Sequence, residues 1–252
     1  MIVLGLDTST SATAVALRLS DGTTTQARDD PPASAHPGHA TRLLDMAHQL
    51  LLDADVPWRA IERIAVGVGP GTFTGLRVGV ATARGLAQSL SAQLVGVSSP
   101  LALAAAALSA NPGETGTPTA VLSVIDARRG EVFAAAYSHG RDGAPRELVA
   151  PCPLAPQELA SVLLHGERAA GETLRWLAVG DGAVRYRDAL AHAEIPVAPD
   201  GSSLHQISAG CICQLGAGAP VGEPQEIVPD YRRRPDAELA LEGAGTATGV
   251  LR

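Results

Sequence analysis

Between Glu62 and Glu114 the chain carries no aspartate or glutamate, and the middle of that span reads GVGPGTFTGLRVGVATARGLA, residues 67–87. Four glycines and a proline fall within its first nine residues, and a helical pattern follows. A glycine-rich turn at a helix start is a general anion cradle, because free backbone N–H groups and the positive helix end converge there. This stretch lacks the other parts of such a site. GxxxxGK[ST] fails because Leu76 follows Gly75, and all 19 basic residues of the chain are arginine. GxGxxG fails at its last glycine, and no acidic residue follows at the distance a ribose requires. The acid-free span also excludes carboxylate metal ligands and carboxylate bases from this segment. Packing remains. On a helix beginning near Gly75, Gly75, Gly79 and Ala83 recur every four residues beside Val78, Thr82 and Leu86, a smooth face that lets another backbone come close. Arg77, Arg84 and Gln88 take the opposite face. The close neighbour is either the protein's own sheet or a partner helix.

A second helix, over about 39–54, has Leu43, Leu44, Met46, Ala47, Leu50, Leu51 and Ala54 spread over about 160° of the wheel, wider than the stripe of about 100° that one core requires. The excess predicts burial on two sides, so the two helices together form a candidate docking platform. The absence of lysine removes Schiff-base and SxxK chemistry as well. A net charge of −7 disfavours unaided binding of nucleic acid. The longest purely apolar run, LALAAAAL at 101–108, is far short of a membrane span, and MIVLGLD has no basic leader, so a cytoplasmic chain is expected. Cys152, Cys211 and Cys213 contain no CxxC, and a CxC pair in a helix points its thiols apart, which predicts buried thiols rather than a disulfide or zinc site.

The pattern along the chain is α/β and duplicated. IVLGLD, AVALRL and TTTQAR read as a three-stranded meander with a turn at Asp21-Gly22, then a helix, the strand ERIAVGVG, the glycine helix, the strand QLVGVSS and a short helix over 100–110. After NPGETGTPT, which reads as a linker, TAVLSVIDARRGEVFAAAY and a turn at Asp142-Gly143 repeat the meander. A helix over 157–164, the strand RWLAVGDG and a helix over 186–193 follow. Asp7 and Asp126 close the first strand of each half, and AVG recurs at Ala65 and Ala178, which predicts two βββαβα-type lobes. The expected division is a first lobe over 1–110, a second over 118–230, and a C-terminal segment over 231–252 with a disordered tail from about 243.

Two clusters are chemical candidates. Asp7, Thr8, Ser9, Thr10 and Ser11 place a carboxylate and hydroxyls at a strand end, suited either to a nucleotide phosphate or hydrated magnesium, or to capping their own turn. No glycine in that turn opens the backbone to a phosphate. His36, His39 and His48 lack metal-ligand spacing, Asp126 beside Arg128 and Arg129 reads as a polar strand end, and no nucleophile triad is assignable.

LGLDTSTSATAVAL, HATRLLDMAHQLL, VGVGPGTFTGLRVGVATARGLA, VIDARRGEVFAAAY and PDYRRRPDAEL, in that order along nearly the whole chain, resemble the bacterial TsaB (YeaZ) family. The resemblance implies an actin-like (ASKHA) two-lobed fold and a non-catalytic role in making N6-threonylcarbamoyladenosine on tRNA. It implies TsaD as heterodimer partner, TsaE as a further ATPase partner, TsaC as source of the threonylcarbamoyl-adenylate, and a homodimer when the chain is alone. Transfer RNA is then met only through the complex, the chain has no cofactor or metal of its own, and ATP and Mg belong to the assembly. In TsaD-type siblings an HxxxH metal motif follows the strand after the glycine helix; here that place reads GVSSPLALAAAA. The family's paired surface maps onto Leu43, Leu44, Met46, Ala47 and Leu51 of one helix and Gly75, Arg77, Val78, Gly79, Thr82, Ala83 and Leu86 of the other. On this reading Gly79→Arg breaks partner binding and leaves the fold intact. The alternatives are an ATP-dependent kinase or ATPase of the actin-like class and, less favoured, a metallopeptidase.

Overall fold

The computed structural model describes residues 1–32, 35–110, 119–140 and 143–232. Its first sheet begins with the meander β1 (Val3–Asp7), β2 (Thr13–Arg18) and β3 (Thr24–Asp29). After α1 (His39–Asp53), β4 (Arg63–Gly69) returns parallel to β1, and α2 (Phe73–Leu90) carries the chain to β5 (Gln93–Ser98), parallel to β4. The order is β3-β2-β1-β4-β5. A second meander of β6 (Thr119–Arg128), β7 (Glu131–His139) and β8 (Pro145–Leu154) is followed by α4 (Leu159–Ala170), after α3 (Ser99–Ala110) has linked the halves, and by β9 (Arg175–Val179) parallel to β6. Its order, β8-β7-β6-β9, repeats the first four positions of the first sheet. Two copies of one α/β unit, each a meander with a parallel fourth strand, make the actin-like arrangement that the recurring Asp and AVG landmarks anticipate.

Alternation along the strands sets the layers. Leu4, Leu6, Val15, Leu17, Ile64 and Val66 face α1 and α2, while Val3, Ala14, Ala16, Ala65, Val95 and Val97 face the centre of the molecule. From the other side, Val121, Ile125, Phe133, Ala135 and Tyr137 of the second sheet face the same centre. Between the sheets lies α3, apolar all round as a helix between two sheets must be, with Ala102, Leu103, Ala104, Ala107 and Leu108 buried. Its small side chains let both sheets approach. The outer face of the second sheet is covered by Leu159, Val162 and Leu190, the last from α6 (Arg187–His192).

The expected division at 118–230 is corrected at its end. Helix α7 (Ala209–Gly218) crosses back and packs on β1, β2 and β4 of the first sheet. Its approach is close enough that a Cβ on Gly5 would lie 2.6 Å from Cys213 Sγ. The end of α7 is held by the buried Arg63, whose Nη1 donates to the carbonyls of Gly216 (2.7 Å), Ala217 (2.9 Å) and Ala219 (3.1 Å). A cation at a helix C-terminus meets both the orphan carbonyls and the negative end of the dipole. Nε and Nη2 of Arg63 donate to Gln93 Oε1, so the guanidinium is satisfied in an acid-free span by neutral acceptors alone.

Other boundaries shift locally. The glycine helix starts at Phe73 rather than near Gly75. The helix expected over 157–164 is a short 3-10 turn, Pro156–Glu158, followed by α4. The helix expected over 186–193 is α6, and a further short helix, α5 (Asp181–Arg185), precedes it, parted from it at Tyr186, which leaves helical geometry at φ −110°, ψ 32°. Cys213 is buried with its thiol on the carbonyls of Val3 and Ala16, and burial pushes it up to about 12. No helix among the described residues is long and apolar enough to cross a membrane. Of the linker expected over 111–119, Thr119 opens β6, while 111–118, Asp142, Arg233, Arg234 and the tail lie outside the described residues.

Replacing Arg63 with Met keeps volume but leaves three carbonyls without their cation. The variant is expected to lose about 2–4 kcal/mol of stability with an unchanged m-value in urea unfolding.

Candidate functional site

Asp7 ends β1 and turns inward. Its Oδ1 accepts from Ser9 N (3.0 Å) and Ser9 Oγ (2.8 Å), and its Oδ2 accepts from Ser99 Oγ (3.0 Å), which itself accepts from Gly69 N (3.2 Å). Thr8 Oγ1 donates to the Gly75 carbonyl (2.7 Å), and Thr72 N donates to the Ser9 carbonyl (2.7 Å). Asp7, Thr8 and Ser9 are fully buried, and burial, outweighing these hydrogen bonds, raises the Asp7 carboxyl above its ordinary value. Thr10 and Ser11, partly buried, form the outer edge of the turn.

The glycine stretch is shaped to this turn. A Cβ on Gly67 would overlap Asp7 Oδ2, one on Gly71 the Ser9 carbonyl, one on Gly75 the Thr8 carbonyl, and one on Gly79 Thr8 Oγ1. The β1–β2 turn therefore occupies the space that four missing side chains leave along the end of β4 and the first turns of α2.

This corrects the expected interface. Gly75, Gly79 and Ala83 face the protein's own turn and core, and Gly79→Arg would drive a side chain into Thr8 rather than into a partner. Leu43, Met46, Ala47 and Leu51 are likewise buried against the first sheet, so the broad apolar arc of α1 mostly serves one core. Outward stand Leu44 at 45% exposure and, missed by the sequence reading, Leu52 at 59%. From the neighbouring α2 come Thr74, Ala81 and Gly85, exposed, with Val78, Thr82 and Leu86 partly buried. Gly85 has open space around it. Arg77, Arg84 and Gln88 lie along one flank as expected. Arg77 stacks on Phe73 (3.8 Å to the ring centroid), and its Nε donates to Tyr231 Oη (3.0 Å). Leu44 of α1 and Val78, Ala81 and Gly85 of α2, exposed or partly exposed on two helices in contact, make a candidate protein-docking surface.

The second half repeats the first turn with different chemistry. Asp126 Oδ1 accepts from Arg128 N (3.0 Å), as Asp7 does from Ser9, and its Oδ2 lies 3.4 Å from both Arg128 Nη1 and Arg185 Nη1. Asp181, after β9, accepts from Asp126 N (3.0 Å) and Gly182 N (2.9 Å), and burial pushes it up to about 6. His36 is exposed, His48 stacks beside Trp58, and His39 is buried on Thr13 Oγ1 (2.9 Å). No group of three His, Cys, Asp or Glu among the described residues is placed to hold a metal.

Comparison with known proteins gives consistent matches. A family model described as TsaD, tRNA N6-adenosine threonylcarbamoyltransferase, matches residues 30–173. The chain is 31% identical over 246 residues to the tRNA threonylcarbamoyladenosine biosynthesis protein TsaB of Escherichia coli (strain K12), covering 96% of this chain and 99% of that one. It is also 31% identical to TsaB of Bacillus subtilis (strain 168) over 144 residues, 55% of this chain and 56% of that one. Among solved structures it is similar to YeaZ from Pseudomonas aeruginosa, with TM-score 0.71 and 29% identity over 91% of this chain and 100% of that chain.

Two outcomes are expected. Gly79→Ala, pressed on Thr8, is expected to cost about 1–3 kcal/mol, and Gly85→Ala, in open helix, to gain about 0.5–1 kcal/mol; denaturant unfolding of both separates the inner from the outer face of α2. Asp181 binds its proton more tightly folded than unfolded, so its contribution favours folding at pH 4 and is lost as pH rises through about 6. Asp181→Asn is therefore expected to be more stable than the parent by about 2 kcal/mol at pH 7.5, with the gain vanishing near pH 4 in melts across that range.

Proposed function

The chain belongs to the TsaB (YeaZ) family, and on that premise we propose that it serves tRNA threonylcarbamoyladenosine biosynthesis as a non-catalytic docking subunit. The partner we assign is the TsaD-type transferase subunit, bound one-to-one, with the TsaE ATPase joining the assembly and a self-dimer forming when the chain is alone. Transfer RNA is held by the assembly, because a chain of net charge −7 repels a polyanion. ATP and magnesium enter at the level of the complex.

One observation carries the reading. The polar groups of the β1–β2 turn are spent on one another and on Ser99 and Gly75, while the helices beside them turn Leu44, Leu52 and Ala81 outward. A carboxylate so enclosed orders a turn more readily than it handles a phosphate. Where the TsaD-type HxxxH would fall, Ser99 opens α3 and bonds Asp7. The outward strip combines exposed apolar side chains with small ones, which suits close helix-to-helix contact with a protein.

Leu44→Glu combined with Ala81→Arg, both on exposed positions, is expected to keep the parent melting temperature and abolish co-elution with the TsaD-type subunit of the same cell. Light scattering on a sizing column reads both the self-dimer and the mixed complex. Unchanged co-elution would remove α1 and α2 as the docking face, and ATP turnover by the isolated chain would remove the non-catalytic reading.

A further inference from the structure

The last described segment crosses the flank of α2. From the 3-10 turn Pro224–Glu226, Ile227 reaches the space beside Gly96, Asp230 N donates to the Val68 carbonyl (2.7 Å), and Arg232 Nη1 donates to the Pro151 carbonyl of β8 (3.0 Å). Between this strap and α2 lies a cavity of about 440 Å³ lined by Arg84, Ala87, Gln88, Ala92, Pro224 and Gln225.

Among the described residues, Arg84 is the only charged group on that lining. Its Nη2 donates to the Gln225 carbonyl (2.9 Å), while its buried Nε has no hydrogen-bond partner among the described residues. No acidic residue stands within 20 positions of it in sequence. Of the strap's carboxylates, Glu226 turns back on its own turn, its Oε2 accepting from Glu223 N (3.3 Å), and Asp230 pairs with Arg232 Nε (2.7 Å). To Arg84 the strap thus offers a neutral carbonyl, and no ion pair to it is made among the described residues.

We propose that Arg84 and the strap form a receptor for a single carboxylate, the Asp or Glu side chain of a protein docked on the outer face of α2. The inference deepens the docking reading above and rests on it for the identity of the occupant. A guanidinium with a free Nε–H and spare Nη hydrogens grips a carboxylate through two parallel hydrogen bonds. Ala87, Ala92 and Pro224 make up the apolar part of the lining, and the amides of Gln88 and Gln225 offer further donors to a carboxylate. One cation matches one negative charge. A phosphate dianion or a nucleic acid calls for several, and the cavity has one.

The test follows the Arg84 Nε–H resonance of the full chain while N-acetyl-glutamate amide or inorganic phosphate is added. A saturable shift with the glutamate probe, absent in Arg84→Gln and larger than that with phosphate, is expected; an unmoved resonance, or a stronger response to phosphate, overturns the carboxylate receptor. With the TsaD-type subunit, Arg84→Gln is expected to weaken binding about 10- to 100-fold. Arg84→Lys keeps the charge without the Nε–H, and is expected to hold the melting temperature yet recover less than half of the lost binding free energy. Full affinity in Arg84→Gln, with binding abolished by the Leu44 and Ala81 substitutions, leaves the docking face standing and overturns this inference. If the parent chain does not bind that subunit, the docking reading and the assigned occupant fail together, and the glutamate titration still decides the chemistry of the pocket.

Discussion

Four absent Cβ atoms shape the first half of this protein. The β1–β2 turn lies against Gly67, Gly71, Gly75 and Gly79, and a methyl group at any of these would overlap Asp7, Thr8 or Ser9. This contact fixes how α2 leaves β4, and Ser99, bonded to Asp7 Oδ2, ties the start of α3 to the same point. The ends of β1 and β4 and the starts of α2 and α3 are thereby held as one unit. The direction of α2 in turn decides which of its residues face outward.

The centre of the molecule follows a related rule. Two sheets share one apolar layer, and the elements that fill it, α3 and α7, are built from alanine, glycine, cysteine and a few larger side chains. Small residues keep the sheets close, so dispersion contacts are dense, and any added volume has nowhere to go. Closing α7 on the first sheet buries a helix end, and Arg63 satisfies it without a carboxylate. The duplicated Asp turns show how one backbone device takes two chemistries. Asp7 is closed in by hydroxyls, whereas Asp126 holds two half-exposed arginines beside the protonatable Asp181.

Much of this was legible in the sequence. Alternation and turn residues gave the order of strands and helices, and the recurrence of Asp and AVG gave the duplication, because backbone periodicity and turn chemistry act locally. The failure of both nucleotide fingerprints at the glycine stretch was equally legible, since those motifs require specific atoms at fixed spacing. The candidate surface was only half legible. Leu44 and Arg77 face outward and Val78 partly so, whereas Leu43, Met46, Gly75 and Gly79, expected on the same surface, are turned inward. A run of glycines and alanines marks close approach without saying what approaches. Here the neighbour is a turn 60 to 71 residues earlier in the chain, from Asp7 beside Gly67 to Thr8 beside Gly79, a relation no local pattern encodes.

The sequence alone determined the class of fold, the doubling of its unit, the lack of lysine chemistry and the acid-free character of α2, because each depends on residue type and spacing. Tertiary structure alone decided that α7 returns to the first sheet, that the small face of α2 is internal, and that Arg84 is left beside a cavity lined by no carboxylate among the described residues. Those outcomes depend on which distant surfaces meet, and burial is a property of the assembled layers rather than of any one segment.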